Sequence, residues 1–134
     1  MEKDSQIFKK NKKSFKRFTL SFKYWYEGIR YAFYHEQNII VMLVMGIIAM
    51  ILGMILGISY TERLVVILLI GMILSLEMIN TAIEAVVDLV TTEKKPLAKV
   101  AKDCASGAVG IASIFAFILG LLIYLPKLMT FFRG

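Results

Sequence analysis

The chain has one cysteine, Cys104, and one histidine, His35, in 134 residues. A lone cysteine excludes an internal disulfide and cannot by itself build a thiolate metal site, and a lone histidine leaves no imidazole cluster. Any bound cation would need carboxylate oxygens, a donor set that favours Mg²⁺ over zinc. No glycine-rich phosphate loop of the GxxxxGK type occurs, which excludes a P-loop enzyme. Charge is scarce as well, at 19% of residues, and is missing altogether from residues 39–58 and 64–76. The first apolar run begins near Ile39, behind a long basic stretch, too far in for a cleavable signal peptide.

What is abundant is apolar: 58% of residues are hydrophobic, more than an ordinary soluble domain carries. The expectation is a single small domain over residues 1–134, all α-helical, lying in a bilayer. The net charge of +6 raises nucleic acid as a partner. The basic residues, however, lie ahead of or between apolar runs. That placement fits an anionic membrane surface or a phosphate-bearing ligand, and no nucleic acid is expected.

Four helices follow from the patterning. Over residues 12–34, Phe15, Phe18, Phe22, Trp25 or Tyr26, Ile29 and Phe33 recur at helical spacing, with Lys12, Lys13, Lys16, Arg17, Lys23 and Arg30 between them. A basic amphipathic helix with aromatic anchors is the composition of one lying in the membrane interface. Residues 39–58 are long enough to span a hydrocarbon core. Within them Ala49, Gly53 and Gly57 form a small-xxx-small series that lets another helix approach closely. A short turn over 59–63 leads to a second span at 64–90, and a charged loop leads to a third at 97–125, with Pro96 suited to its first turn and Pro126 ending it. Nine Lys and Arg residues precede the first span and four lie between Lys94 and Lys102, against one in the 59–63 turn and two in the tail. The positive-inside rule then puts the N-terminus and the second loop in the cytoplasm, in a cell membrane crossed several times.

The second span carries an acidic stripe. Glu77, Asn80, Thr81, Glu84 and Asp88 are spaced three, four, seven and eleven apart and share one helix face. Ionisable groups at membrane depth are expensive, face a bundle interior or cavity, and mark function. Glu77 lies about 10 Å deeper than Glu84, from seven residues of helical rise. Glu36 and Glu84, from two helices, could hold a divalent cation whose other ligands are water and phosphate oxygens. Nearby lysines and Arg17 could neutralise triphosphate charge. Glu77 could take the proton of a hydroxyl that is itself in the membrane. Phosphoryl transfer needs little beyond such positioning and charge neutralisation, so the residues point to a kinase acting on a lipid alcohol. A small ion channel or transporter subunit is the alternative. It would use the acidic stripe as an ion path but gives Arg17, Lys102, Asp103 and the basic loop nothing to do.

The run from Glu77 to Asp88, Glu-x-x-Asn-Thr-Ala-Ile-Glu-x-x-Val-Asp, resembles the signature of the prokaryotic diacylglycerol kinase family. Ala101-Lys102-Asp103, followed by small residues, resembles its second signature, and the similarity covers roughly residues 15–126. The resemblance implies a homotrimeric integral membrane lipid kinase that uses Mg-ATP, with composite sites between subunits. It implies Glu77 as catalytic base at the lipid hydroxyl, with Glu36 and Glu84 holding the metal and, through it, ATP. Arg17, Tyr24, Glu93, Lys94, Lys95, Lys102 and Asp103 would surround the nucleotide, Asn80 would support the catalytic carboxylate, and Ser106 would lie near the lipid. Asp88 is either a further supporting residue or a charge at the membrane edge beside Lys94 or Lys95. Read without the resemblance, Lys102 and Asp103 are a local ion pair near a helix start. The 95–99 segment and the 125–128 ending resemble the Gram-positive-type branch of the family, which implies undecaprenol as the acceptor, with diacylglycerol as the alternative.

Overall fold

The computed structural model describes the backbone of residues 2–133 and the side chains of residues 16–133. Four helices follow one another: α1 (Glu2–His35), α2 (Gln37–Ile55), α3 (Tyr60–Val90) and α4 (Pro96–Arg133). They form two compact units, Met1–His35 and Glu36–Gly134.

The first unit is α1. It begins ahead of the expected residue 12, and the side chains of Lys12, Lys13 and Phe15 lie outside the described residues. Phe18, Phe22, Trp25 and Tyr26 are all exposed. Neighbours one turn apart brace each other: Phe18 and Phe22 meet edge to face at 5.0 Å, Lys23 pairs with Glu27 at 3.7 Å, and the Arg30 guanidinium lies 5.5 Å from the Tyr34 ring centre. Such pairs stabilise a helix surface only modestly. The exposed aromatics therefore still need an apolar environment, as the interfacial reading expects.

In the second unit α3 is the central helix, and both α2 and α4 pack on it. All three are long and apolar enough to cross a membrane, yet only 17–28% of the residues in each apolar window are buried within the chain. The remaining apolar surface, with Ile47, Ile51, Ile114 and Phe115 among its members, is far larger than water tolerates and belongs against lipid or other subunits. This is a membrane protein.

The α2–α3 connection is built by backbone hydrogen bonds. α2 stops at Ile55, and Gly57 takes φ 64°, the left-handed conformation that ends many helices. The Ile58 amide then reaches back to the Gly53 carbonyl at 3.0 Å and the Gly57 amide to Met54 at 3.4 Å. Ser59 caps α3 at once: its hydroxyl accepts from the Glu62 amide, and the Glu62 carboxylate accepts from the Ser59 amide at 2.6 Å. The expected span 39–58 is thus three residues too long. Gly57, expected to pack a neighbouring helix, instead makes the turn, because the chain reverses before it. Arg63 and Glu62, placed in the turn by charge, lie inside α3.

Gly53 does allow close approach. A Cβ there would lie 2.5 Å from Ile58 Cδ1 and 3.1 Å from the Tyr124 hydroxyl. That hydroxyl donates to the Ala49 carbonyl at 2.8 Å, tying α4 to α2. α4 also corrects an expectation, since it runs straight on past Pro126 to Arg133. A proline removes one helical hydrogen bond, but the flanking turns keep theirs, so the helix persists. The Thr130 hydroxyl adds a bond to the Pro126 carbonyl at 2.9 Å.

Replacing Gly53 by leucine should destabilise the bundle by about 1–3 kcal/mol, the usual cost of overpacking. Tyr124→Phe should cost only about 0.6 kcal/mol, typical of an interhelical hydrogen bond in a membrane. Unfolding in mixed detergent–SDS micelles measures both.

Candidate active site

Two ion pairs set the register of α3 against α4. Asp88 Oδ1 meets Lys102 Nζ at 2.6 Å at one end, and Glu62 Oε2 meets Lys127 Nζ at 3.8 Å at the other. Eleven residues in from Asp88 is Glu77, and eleven in from Lys102 is Ser113. Glu77 therefore lies level with Ser113, and by the same count Glu84 lies level with Ser106. Along the shared length the buried residues of α4 are small, Ala105, Val109 and Ala112, which lets helices pack closely. The buried residues of the facing stretch of α3 are polar: Glu77 at 2% exposure, Asn80 at 7% and Thr81 at 6%.

These polar groups are partly satisfied. The Thr81 hydroxyl donates to the Glu77 carbonyl at 3.0 Å, one turn back. The Asn80 amide donates to Glu84 Oε1 at 3.2 Å, one turn towards the shallower acid. Asn80 Oδ1 is buried with no donor among the described residues. Leaving a buried acceptor unpaired costs about 1–3 kcal/mol. A substrate hydroxyl, a water or a cation's hydration shell would relieve it. The Glu77 carboxylate likewise accepts no hydrogen bond from a described side chain.

Lys102 reaches Asp88 across two helices rather than its neighbour Asp103, and Asp88 takes Lys102 rather than Lys94 or Lys95. A helix holds residues 102 and 103 about a quarter-turn apart, so adjacent charges point different ways. Asp103 and Ser106 are exposed. In the loop, Glu93 pairs with Lys95 at 3.5 Å, and Lys94 is exposed. Glu36 is half-buried at the N-cap of α2, where its side chain makes no capping bond. Arg17 and Tyr24 are exposed on α1. Among the described residues no three histidines, cysteines or acids gather around one point. The hard oxygen donors present, Glu36, Glu84 and Asn80 Oδ1, are of the type Mg²⁺ takes. They are few, which suits an ion that keeps waters and phosphate oxygens for its other positions.

Sequence reasoning missed the Glu62–Lys127 pair and the Tyr124–Ala49 bond. The capping box was visible in Ser59 and Glu62, three residues apart. The Tyr124–Ala49 bond had no signal, because it depends on how α2 and α4 both seat on α3.

The chain matches the family model described as "Prokaryotic diacylglycerol kinase" over residues 23–124. It is 41% identical over 120 residues to an undecaprenol kinase of Bacillus subtilis (strain 168), covering 90% of this chain and 98% of that one. It is 37% identical over 112 residues to a diacylglycerol kinase of Synechocystis, covering 83% of this chain and 64% of that one. A diacylglycerol kinase of Helicobacter pylori (strain J99) is 36% identical over 109 residues, covering 81% and 85%.

Asn80→Ala removes both the bridge to Glu84 and the unpaired acceptor, two opposed effects. Its stability should change by less than about 1 kcal/mol, measured by the same SDS titration. A loss of several kcal/mol would mean that Oδ1 has a partner in the assembled protein.

Proposed function

The chain belongs to the prokaryotic diacylglycerol kinase family and is a lipid kinase, and on that premise we propose that it phosphorylates undecaprenol to undecaprenyl phosphate. The observation that carries the mechanism is Glu77, a carboxylate 2% exposed in the middle of a membrane-length helix. Among the described residues no ion pair offsets it, which supports a reacting group as its partner. Support for the acceptor comes from the relative with the highest identity of the three above, an undecaprenol kinase that this chain covers almost end to end. Diacylglycerol, the acceptor in the names of the other two, is the lesser reading.

In this reading the acceptor hydroxyl reaches Glu77 from the membrane. Glu77 takes its proton as the hydroxyl oxygen bonds to the γ-phosphorus of ATP, the bond to the β-phosphate oxygen breaks, and ADP leaves. Asn80 holds the geometry from behind, offering Oδ1 to the site while its amide fixes Glu84. Glu84 and Glu36 would hold Mg²⁺, which supplies charge neutralisation for the phosphates. Lys102, Lys94, Lys95 and Arg17 would add positive charge to the nucleotide, with Tyr24, Glu93 and Asp103 around it, Asp88 orienting Lys102, and Ser106 near the lipid headgroup.

The site is one membrane kinase domain repeated in a homotrimer, each subunit leaving open apolar faces for its neighbours. It faces the cytoplasm of a plasma membrane, the side that the lysine and arginine distribution selects.

Glu77→Gln should lower transfer of the ATP γ-phosphate to lipid by about 10²–10⁴-fold, the range of a general base, while the protein stays folded and keeps its oligomeric size. The assay runs purified protein with undecaprenol and with a diacylglycerol, with and without EDTA. Faster turnover of diacylglycerol would reassign the acceptor, and wild-type-like activity of Glu77→Gln would remove the base.

A further inference from the structure

The acidic stripe uses only the inner half of the α3–α4 pair. Beyond it, α2, α3 and α4 enclose an apolar cleft of about 630 Å³. Its floor is α3, from Val66 to Leu74, and Leu74 lies one turn from Glu77. One wall is α2 around Met42, Met45 and Ala49; the other is α4 from Ser113 to Leu128. Of its few polar side chains, Tyr124 spends its hydroxyl on the Ala49 carbonyl. Ser113 lies at the inner end, level with Glu77. The cleft thus carries one hydroxyl, Ser113, at the end nearest Glu77, and its lining is apolar for about 22 Å beyond, counting the rise of fifteen residues of α4.

We infer that this cleft seats the proximal prenyl units of the acceptor's tail and is where the enzyme selects a prenyl chain over an acyl chain. The inference rests on the proposed lipid-alcohol acceptor with its hydroxyl at Glu77. At roughly 30 Å³ for a small group in a condensed phase, the volume holds about twenty carbons, or four prenyl units. A tail already in lipid gains little by entering another apolar space, so the cleft works by shape. Its lining sets Ile and Leu side chains beside small residues at Ala49, Ala116 and Gly120. A chain with a methyl branch on every fourth backbone carbon fits such a lining, and a straight acyl chain leaves the space over the small residues empty, which forfeits packing contacts.

Gly120 offers a clean test. It lines the cleft about 10 Å outward from Ser113, seven residues along the helix, and a Cβ built on it meets nothing within 4 Å. Gly120→Ala therefore adds a methyl without a clash, and Gly120→Leu extends further into the cleft. The probe is a four-unit prenyl alcohol with a benzophenone at its far end, photolysed on the full-length protein in lipid nanodiscs and mapped by mass spectrometry. Labelling is expected on Leu52 and the 120–128 segment at the outer end, competed several-fold better by undecaprenol than by diacylglycerol. It should fall several-fold in Gly120→Leu and less in Gly120→Ala, and the ratio of undecaprenol to diacylglycerol turnover should fall with it. Labelling confined to outward residues such as Val44 and Phe115, or unchanged by Gly120→Leu, overturns the inference and leaves the cleft to another occupant, a second copy of the chain included. Cleft labelling without any lipid phosphorylation would keep the cleft and sink the assigned reaction. Phosphorylation without cleft labelling would do the reverse.

Discussion

Putting an ionisable carboxylate at membrane depth is the constraint from which the rest of this structure follows. Glu77 is almost wholly buried in a helix that is otherwise greasy. Lipid offers it no hydrogen bonds, so the protein must supply polar company or a ligand must. Asn80 and Thr81 are buried beside it, and Asn80 ties the deep acid's neighbourhood to Glu84 nearer the surface. Among the described residues the set stays short of donors, which leaves a buried acceptor free for a further partner.

α3 can hold that set only because its two ends are fixed. Opposite charges meet α4 at Asp88–Lys102 and Glu62–Lys127, and partly exposed pairs of this kind contribute little stability by themselves. Their value is in register. A slip of one turn would move polar Ser113 away from the level of Glu77 and put Gly110 or Phe117 there. The burial of small residues along α4 does the packing, and the ion pairs choose which of several similar packings is used.

Much of this was legible in the sequence. The absence of charge over 39–58 and 64–76 gave the spans, and period-3.6 spacing put five polar residues on one face of α3. The residues that needed tertiary placement were not legible. Asp88 has three lysines within reach by composition, and only the α3–α4 register selects Lys102. Gly57 fits a packing series equally well on paper, but the left-handed turn it allows is decided by where α2 ends. Pro126 reads as a terminator, yet it removes only one helical hydrogen bond and the flanking turns carry α4 on to Arg133.

The turn between α2 and α3 bears on how the protein reaches the membrane at all. Residues 56–59 bond their own loose ends, the helix stop at Gly57 and the capping box of Ser59 and Glu62 meeting back to back. A nascent hairpin closed in this way exposes few unpaired backbone groups at its leading tip. The charges it carries near that tip are one acid and one base, Glu62 and Arg63, which nearly cancel. Such a hairpin needs no outside partner for the backbone at its tip, so α4 can dock onto a surface already complete.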